Sequence, residues 1–213
     1  MIRKAYIFDY DLTLGDTSDG IIKSVRYALG NMSENIPDDE AIRRTIGLTL
    51  CETYKRLTGN ASPERAARFH DLFVEEADRV MSASAKWLPY AHECLTELKA
   101  NGAFIAVCTT KFSRRIREIL SLSGDSALAD MIVGGDDVKN QKPAPDGILK
   151  IAEESGSPKE DILYVGDSLT DAEAAERAGV DFAAVTTGTT SAEEFSAFPN
   201  VGIMCDLREL KML

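Results

Sequence analysis

The stretch Ile7-Phe8-Asp9-Tyr10-Asp11-Leu12-Thr13-Leu14 decides the fold. It continues an apolar run, Ala5-Tyr6-Ile7-Phe8, whose aromatic and β-branched side chains suit a strand buried on both faces of a parallel sheet. The run stops abruptly on two carboxylates and a hydroxyl. Asp9 falls where such strands open into a ligand crevice. If the extended path continues, strand period puts Asp9 and Asp11 on one side of the chain. Two like charges about 4 Å apart at an effective dielectric near 20 repel by roughly 4 kcal/mol. A shared proton, a lysine or a metal must offset that repulsion.

After Leu14 the pattern becomes helical. Thr17 or Ser18 would cap a helix with apolar positions Ile21, Ile22, Val25, Ala28 and Leu29, ended by Gly30-Asn31. Two short helical segments follow over 37–59, broken at Gly47. Ser62-Pro63-Glu64 then starts a long helix with Ala66, Phe69, Phe73, Ala77 and Val80 on one face. This predicts an all-α domain over residues 16–86, inserted into a core made of residues 1–15 and 87–213.

From Pro89 onward helices alternate with strands. The strands are Ala103–Cys108, Met131–Val133, Ile162–Val165 and Phe182–Val185, with Ser157-Pro158-Lys159-Glu160 read as a capping box. With the first strand they predict an α/β fold, a parallel doubly wound sheet of five or more strands between helical layers. Its carboxyl edge collects Asp9, Asp11, Thr109, Lys142, Asp167 and Asp171.

The 213-residue chain carries a formal charge of −11 and a pI near 4.7, which disfavours nucleic acid or an anionic membrane as partner. An anionic small substrate would need local positive charge. Cys51, Cys94, Cys108 and Cys205 have no C-x-x-C spacing and read as reduced, mostly buried thiols of a cytoplasmic protein. No apolar run is long enough for a membrane span, and no signal peptide precedes the first strand. His70 and His92 both fall on helical patterns, so histidine-based phosphoryl transfer, a Ser-His-Asp triad and His-ligated zinc are poor candidates.

The strand-end residues have the composition of a magnesium-dependent phosphoryl-transfer site. Carboxylates such as Asp9 and Asp167 suit a hard cation. Lys142 offers a fixed positive charge, and backbone amides after Thr109 suit phosphate oxygens.

Four motifs in order carry a resemblance over essentially the whole chain. FDYDLTL matches D-x-D-x-T, AVCTTK a strand-end Thr motif, NQKPAPDG a Lys-Pro motif, and YVGDSLTD a terminal G-D-x-x-x-D. The chain resembles phosphatases of the haloacid dehalogenase superfamily with an α-helical cap after the first strand. The resemblance implies a Rossmann-like three-layer sandwich and an aspartyl-phosphate mechanism. Asp9 would be the nucleophile and Asp11 the general acid and base. Asp9, the Asp11 carbonyl and Asp167 would bind Mg²⁺, with Asp171 supporting the metal from further out. Thr109, the Thr110 amide and Lys142 would hold the phosphate. The implied partner is a small phosphorylated metabolite, and the chain would be a monomer or homodimer.

Two departures stand in the first motif: Leu12 replaces a frequent glycine and Tyr10 a common aliphatic residue. Dehalogenases of this fold lack the second aspartate. The β-phosphoglucomutases resemble D-x-D-G-V and carry a cap arginine where Leu50 stands here. The segment Arg43-Arg44-Thr45-Ile46-Gly47-Leu48 and the Thr109-Thr110-Lys111 turn look most like the phosphoglycolate phosphatase group, which includes pyrophosphatases. Arg43, Arg44, Lys55 and Arg56 are candidates to face an anionic substrate. Cap opening hinged near Gly15-Asp16 and Trp87-Leu88-Pro89 would gate turnover. A non-catalytic phosphate-binding module is the rival from another class.

Overall fold

The buried run Ala5–Phe8 forms strand β1, and its environment sets the rest of the architecture. The structure is a computed structural model describing residues 3–213. After the two-residue strand β2 (Gly15–Asp16) come helices α1 (Ser18–Asn31), α2 (Asp39–Arg43), α3 (Leu50–Thr58) and α4 (Pro63–Ser84). Strand β3 (Lys86–Trp87) pairs with β2 as a separate two-stranded sheet. The chain then runs through α5 (Ala91–Ala100), β4 (Phe104–Cys108), α6 (Ser113–Ser123), β5 (Met131–Val133) and α7 (Asp146–Ser155). It ends with β6 (Ile162–Gly166), α8 (Leu169–Ala178), β7 (Asp181–Val185), α9 (Ala192–Phe195) and β8 (Gly202–Met204).

Two compact units result: residues up to Gly15 together with Trp87–Leu213, and Asp16–Lys86. In the first, six parallel strands lie in the order β5-β4-β1-β6-β7-β8. Phe8 is level with Val107 on one side and Val165 on the other, so β1, β4 and β6 end side by side. Residues 9, 109 and 167 therefore emerge at one point of the sheet's carboxyl edge, where chain order reverses about β1. Beneath them Ile7, Ala106, Ile148, Ile151, Tyr164, Ala175 and Phe182 form one buried cluster.

The second unit is helical because each segment carries its own start signal and one apolar face. Asp38, Thr49 and Ser62 each accept a capping N–H bond from three residues on, and Pro63 occupies the first turn of α4. Ile21, Val25, Leu29, Ile42, Tyr54, Phe69 and Phe73 bury their side chains together, each stabilising the fold by about 1.5–3 kcal/mol.

The structure corrects several local expectations. The Thr17 side chain makes no capping bond to α1; Asp16 Oδ1 instead accepts the Ser18 N–H at 2.8 Å. Ser157 caps nothing, since only a three-residue 3₁₀ turn fits before β6 starts at Ile162. Of the four free cysteines Cys108 alone is buried, Cys94 is half-buried, and Cys51 and Cys205 are exposed. Separately from these corrections, Arg44, one residue past α2, pairs with Glu40, and Lys55 pairs with Glu52 on α3. Among the described residues, no helix is long and apolar enough to cross a membrane.

Candidate active site

The extended path of β1 ends as Asp9 and Asp11 emerge. The carbonyl of Tyr10 accepts the N–H groups of Leu14 and Gly15, each at 2.9 Å, folding residues 10–15 into a tight turn. Leu12, standing where a glycine was the permissive choice, takes the left-handed conformation at φ 58°. The buried Tyr10 ring lies against Gly15, where an added Cβ would come within 2.6 Å of it. The aromatic residue in this turn is thus matched by the absence of a side chain at its end.

Each of the two aspartates has its own lysine. Lys142 Nζ is 2.9 Å from Asp9 Oδ1, and Lys111 Nζ is 3.2 Å from Asp11 Oδ2. Of the three compensations that like charges demanded, lysine is the one the chain itself supplies. Lys142 is held further by Asp171 Oδ1 at 2.6 Å and the Tyr164 hydroxyl at 3.0 Å. Burial works against its ammonium, but the Asp171 and Asp9 carboxylates outweigh that and keep it firmly protonated.

Asp171 is fully buried on α8, and both its oxygens are occupied. Oδ1 accepts from Lys142 and Tyr164, and Oδ2 from the Ser168 amide and hydroxyl, closing a capping box on α8. Asp167, the first residue beyond β6, accepts a 3.0 Å bond from the Thr13 hydroxyl, which ties the first motif to the last. Thr109 is buried at the end of β4 and its Oγ1 accepts the Lys111 N–H at 3.2 Å; Thr110, next to it, is half-buried.

The site therefore brings Asp9, Asp11, Thr109, Thr110, Lys142, Asp167 and Asp171 to one sheet edge. Sequence analysis reads Lys111 only as part of the Thr109-Thr110-Lys111 turn and Tyr164 only as part of a strand, and gives neither a role. A tyrosine within an otherwise apolar strand is a signal in itself, because its buried hydroxyl needs a partner.

The donor set fits a hard divalent cation. Carboxylate oxygens of Asp9, Asp167 and Asp171 lie within 4.8 Å of one another, all buried. Asp9 Oδ1 accepts no hydrogen bond, the Lys142 ammonium beside it aside. Burial pushes Asp9 up to about 7, with Asp171 and Asp11 adding to the rise against Lys142. Burial, with Asp171 and Asp9, likewise raises Asp167 well above the carboxylate range. Buried acids that are costly to ionise await a positive charge. Because both Asp171 oxygens are already engaged, Asp9 and Asp167 are the better donors. Cys108, behind the site, has its thiol pushed up to about 12 by burial, which favours the neutral thiol.

Residues 6–185 match the family model described as haloacid dehalogenase-like hydrolase. Pyrophosphatase PpaX of Bacillus velezensis is 29% identical over 194 residues, covering 91% of this chain and 88% of that protein. A phosphoglycolate phosphatase of Cereibacter sphaeroides is 34% identical over 186 residues, covering 85% and 84%. A crystal structure from Bacteroides fragilis, described as haloacid dehalogenase-like hydrolase, superposes with a TM-score of 0.95 at 38% identity, covering 98% of this chain and 99% of that one.

Proposed function

The chain belongs to the haloacid dehalogenase-like hydrolase family, and on that premise we propose that it is a magnesium-dependent phosphatase acting on a small phosphate monoester through an aspartyl-phosphate. The observation that carries the reading is Asp9 itself: a buried carboxylate at the end of the central strand, with Lys142 on one side and Asp167 on the other.

In this reading an Asp9 oxygen attacks phosphorus, the ester P–O bond breaks, and Asp11 gives its proton to the departing alcohol oxygen. Asp11 then takes a proton from the water that attacks the phosphoaspartate, whose acyl O–P bond breaks to free phosphate and restore Asp9. Thr109 and the Thr110 amide hold the phosphoryl oxygens. Lys142, fixed by Asp171 and Tyr164, faces the charge that gathers on them. Mg²⁺, held by Asp9, Asp167 and the Asp11 carbonyl, would supply further charge neutralisation on the phosphoryl group. Uncatalysed phosphomonoester hydrolysis is among the slowest reactions known, so each of these charges has a task. The all-α unit Asp16–Lys86 is proposed to act as the cap that chooses the substrate.

Relatives named pyrophosphatase and phosphoglycolate phosphatase match at similar identity, so both phosphoanhydride and phosphomonoester belong in the test. Phosphate release from phosphoglycolate, pyrophosphate and sugar phosphates would be compared with and without Mg²⁺, for the wild type and Asp9→Asn. The expected result is metal-dependent turnover that Asp9→Asn abolishes. Undiminished turnover in Asp9→Asn would remove the nucleophile assignment, and an inert wild type would favour a non-catalytic phosphate-binding module.

A further inference from the structure

The chain's net charge of −11 and its four buried active-site aspartates set a problem for any anionic substrate. Among the described residues, Lys142 and Lys111 pair with the aspartates at this edge of the sheet. Lys142 is committed to Asp9, Asp171 and the Tyr164 hydroxyl, all on the nucleophile's side. Lys111 pairs instead with Asp11, the group assigned to the leaving oxygen, and both side chains are only 8% exposed.

Position follows from that pairing. With Asp11 at hydrogen-bond distance from the leaving oxygen, the Lys111 ammonium 3.2 Å from Asp11 Oδ2 lies roughly 6–8 Å or less from that oxygen. A carboxylate on the neighbouring carbon of the leaving alcohol, or the second phosphoryl of pyrophosphate, extends from the same oxygen toward that range.

The backbone beneath Lys111 is anchored. Its N–H donates to Thr109 Oγ1 at 3.2 Å and its carbonyl accepts the Gly135 N–H at 3.0 Å. Gly134 sits so close that an added Cβ would come within 2.6 Å of the same carbonyl. The ammonium therefore has a fixed base and a flexible four-carbon reach. A buried ion pair of this kind yields little net stability, since desolvation consumes most of its attraction. Exchanging one carboxylate for another at Lys111 leaves the ammonium paired throughout.

We propose that Lys111 is the receptor for a second anionic group on the leaving side of the substrate. The preferred substrates are then phosphate compounds whose leaving group is itself anionic. This rests on the phosphatase reading above and narrows it, because it places part of the specificity in the core unit rather than in the inserted helices.

The test compares kcat/KM for phosphoglycolate and for 2-hydroxyethyl phosphate, the same ester with the carboxylate replaced by a neutral hydroxymethyl group. Wild type, Lys111→Met, Lys111→Gln and Lys111→Arg are measured with Mg²⁺. The ratio of the two values within one preparation cancels the concentration of active enzyme, so partial misfolding does not obscure it. Wild type is expected to favour phosphoglycolate. Met and Gln are expected to reduce that preference roughly 10- to 100-fold, the size of one charge-assisted hydrogen bond, with Arg retaining most of it.

A preference unchanged in Met and Gln would overturn the proposal and leave Lys111 as a positioning residue for Asp11. So would a wild type that turns over both esters equally. A wild type inactive on both and on pyrophosphate would instead overturn the phosphatase reading itself, and this inference with it.

Discussion

Lys142 Nζ and Asp171 Oδ1 lie 2.6 Å apart, the lysine side chain 4% exposed and the aspartate fully buried. The resemblance implied that the last aspartate of the G-D-x-x-x-D motif supports a metal. Its contacts say that it first holds a lysine. Asp171 fixes Lys142 through Oδ1 and fixes itself to the α8 N-terminus through Oδ2, so the charge facing Asp9 is aimed by a helix cap.

Asp171→Asn should therefore act on the lysine. It halves the charge facing a buried ammonium and weakens the Ser168 capping box at once. Breaking a buried pair from one side costs about 3–5 kcal/mol. Urea unfolding in the absence of divalent cation should show a loss of that order, with turnover falling at least about 100-fold. A loss under about 1 kcal/mol would mean that Lys142 is held by Asp9 and Tyr164 alone.

The Asp9 carboxyl makes metal-free stability pH-dependent, with a sign opposite to that of most carboxylates. Burial lifts it from the ordinary 3.8 to about 7, and Asp167 moves in the same direction. Between those values the folded state binds more protons than the unfolded chain, so the slope of unfolding free energy with pH is negative. The contribution is fully present below 3.8 and is lost as pH rises through about 7. Thermal melts in chelator should show the wild type losing stability relative to Asp9→Asn over that interval. Mg²⁺ should raise the melting temperature most at the alkaline end, where the carboxylates it needs are already ionised. Asp9→Asn should reduce the pH dependence of the Mg²⁺ effect, leaving the part that Asp167 carries.

Leu12 offers a test of backbone strain. At φ 58° a leucine costs about 1–2 kcal/mol that glycine does not. Its side chain is only 8% exposed, so burial contributes about 1.5–3 kcal/mol the other way. Burial wins: Leu12→Gly and Leu12→Ala should both destabilise. Gly should nonetheless be the milder by about 1 kcal/mol, the reverse of their usual order, because alanine loses the packing and keeps the strain. Chemical denaturation of both variants measures this directly, and an alanine variant as stable as the glycine one would show that the turn relaxes.

These residues also mark how far the sequence could be read. Asp9, Thr109 and Asp167 were legible because each ends an apolar strand, and strand ends in parallel sheets meet at one edge. Lys111 was not, because a lysine following a Thr-Thr turn is burdened or buried only by what tertiary packing places around it. Strand β8 escaped because three residues containing Gly202 have no period of their own; they become a strand because β7 offers an edge to pair with. The Ser157 capping box was read from residue types alone, which say nothing of the nearness of β6. Leu12 was flagged as a turn without a permissive residue, and its left-handed φ is where that conflict settled.

Trp87, the chain's one tryptophan, lies in the segment expected to serve as a hinge. Its indole Nε1–H donates to Asp125 Oδ2 at 2.9 Å, while His92 Nε2 lies 3.0 Å from Asp125 Oδ1 and its ring meets the indole edge-on at 5.7 Å. Burial raises Asp125, but bonds from Ser123, Trp87 and His92 outweigh it and hold the carboxyl below the ordinary 3.8. A depressed pKa gives stability that is present above 3.8 and lost as pH falls through the lowered value. The step in the Trp87 indole proton resonance that follows Asp125 should accordingly have its midpoint below 3.8. Asp125→Asn keeps an acceptor for the indole but has no charge to lose, so its indole resonance should show no such step. A wild-type midpoint at or above 3.8 would mean that these bonds do not hold the carboxylate, and that the segment beside Trp87 is free to move without breaking them.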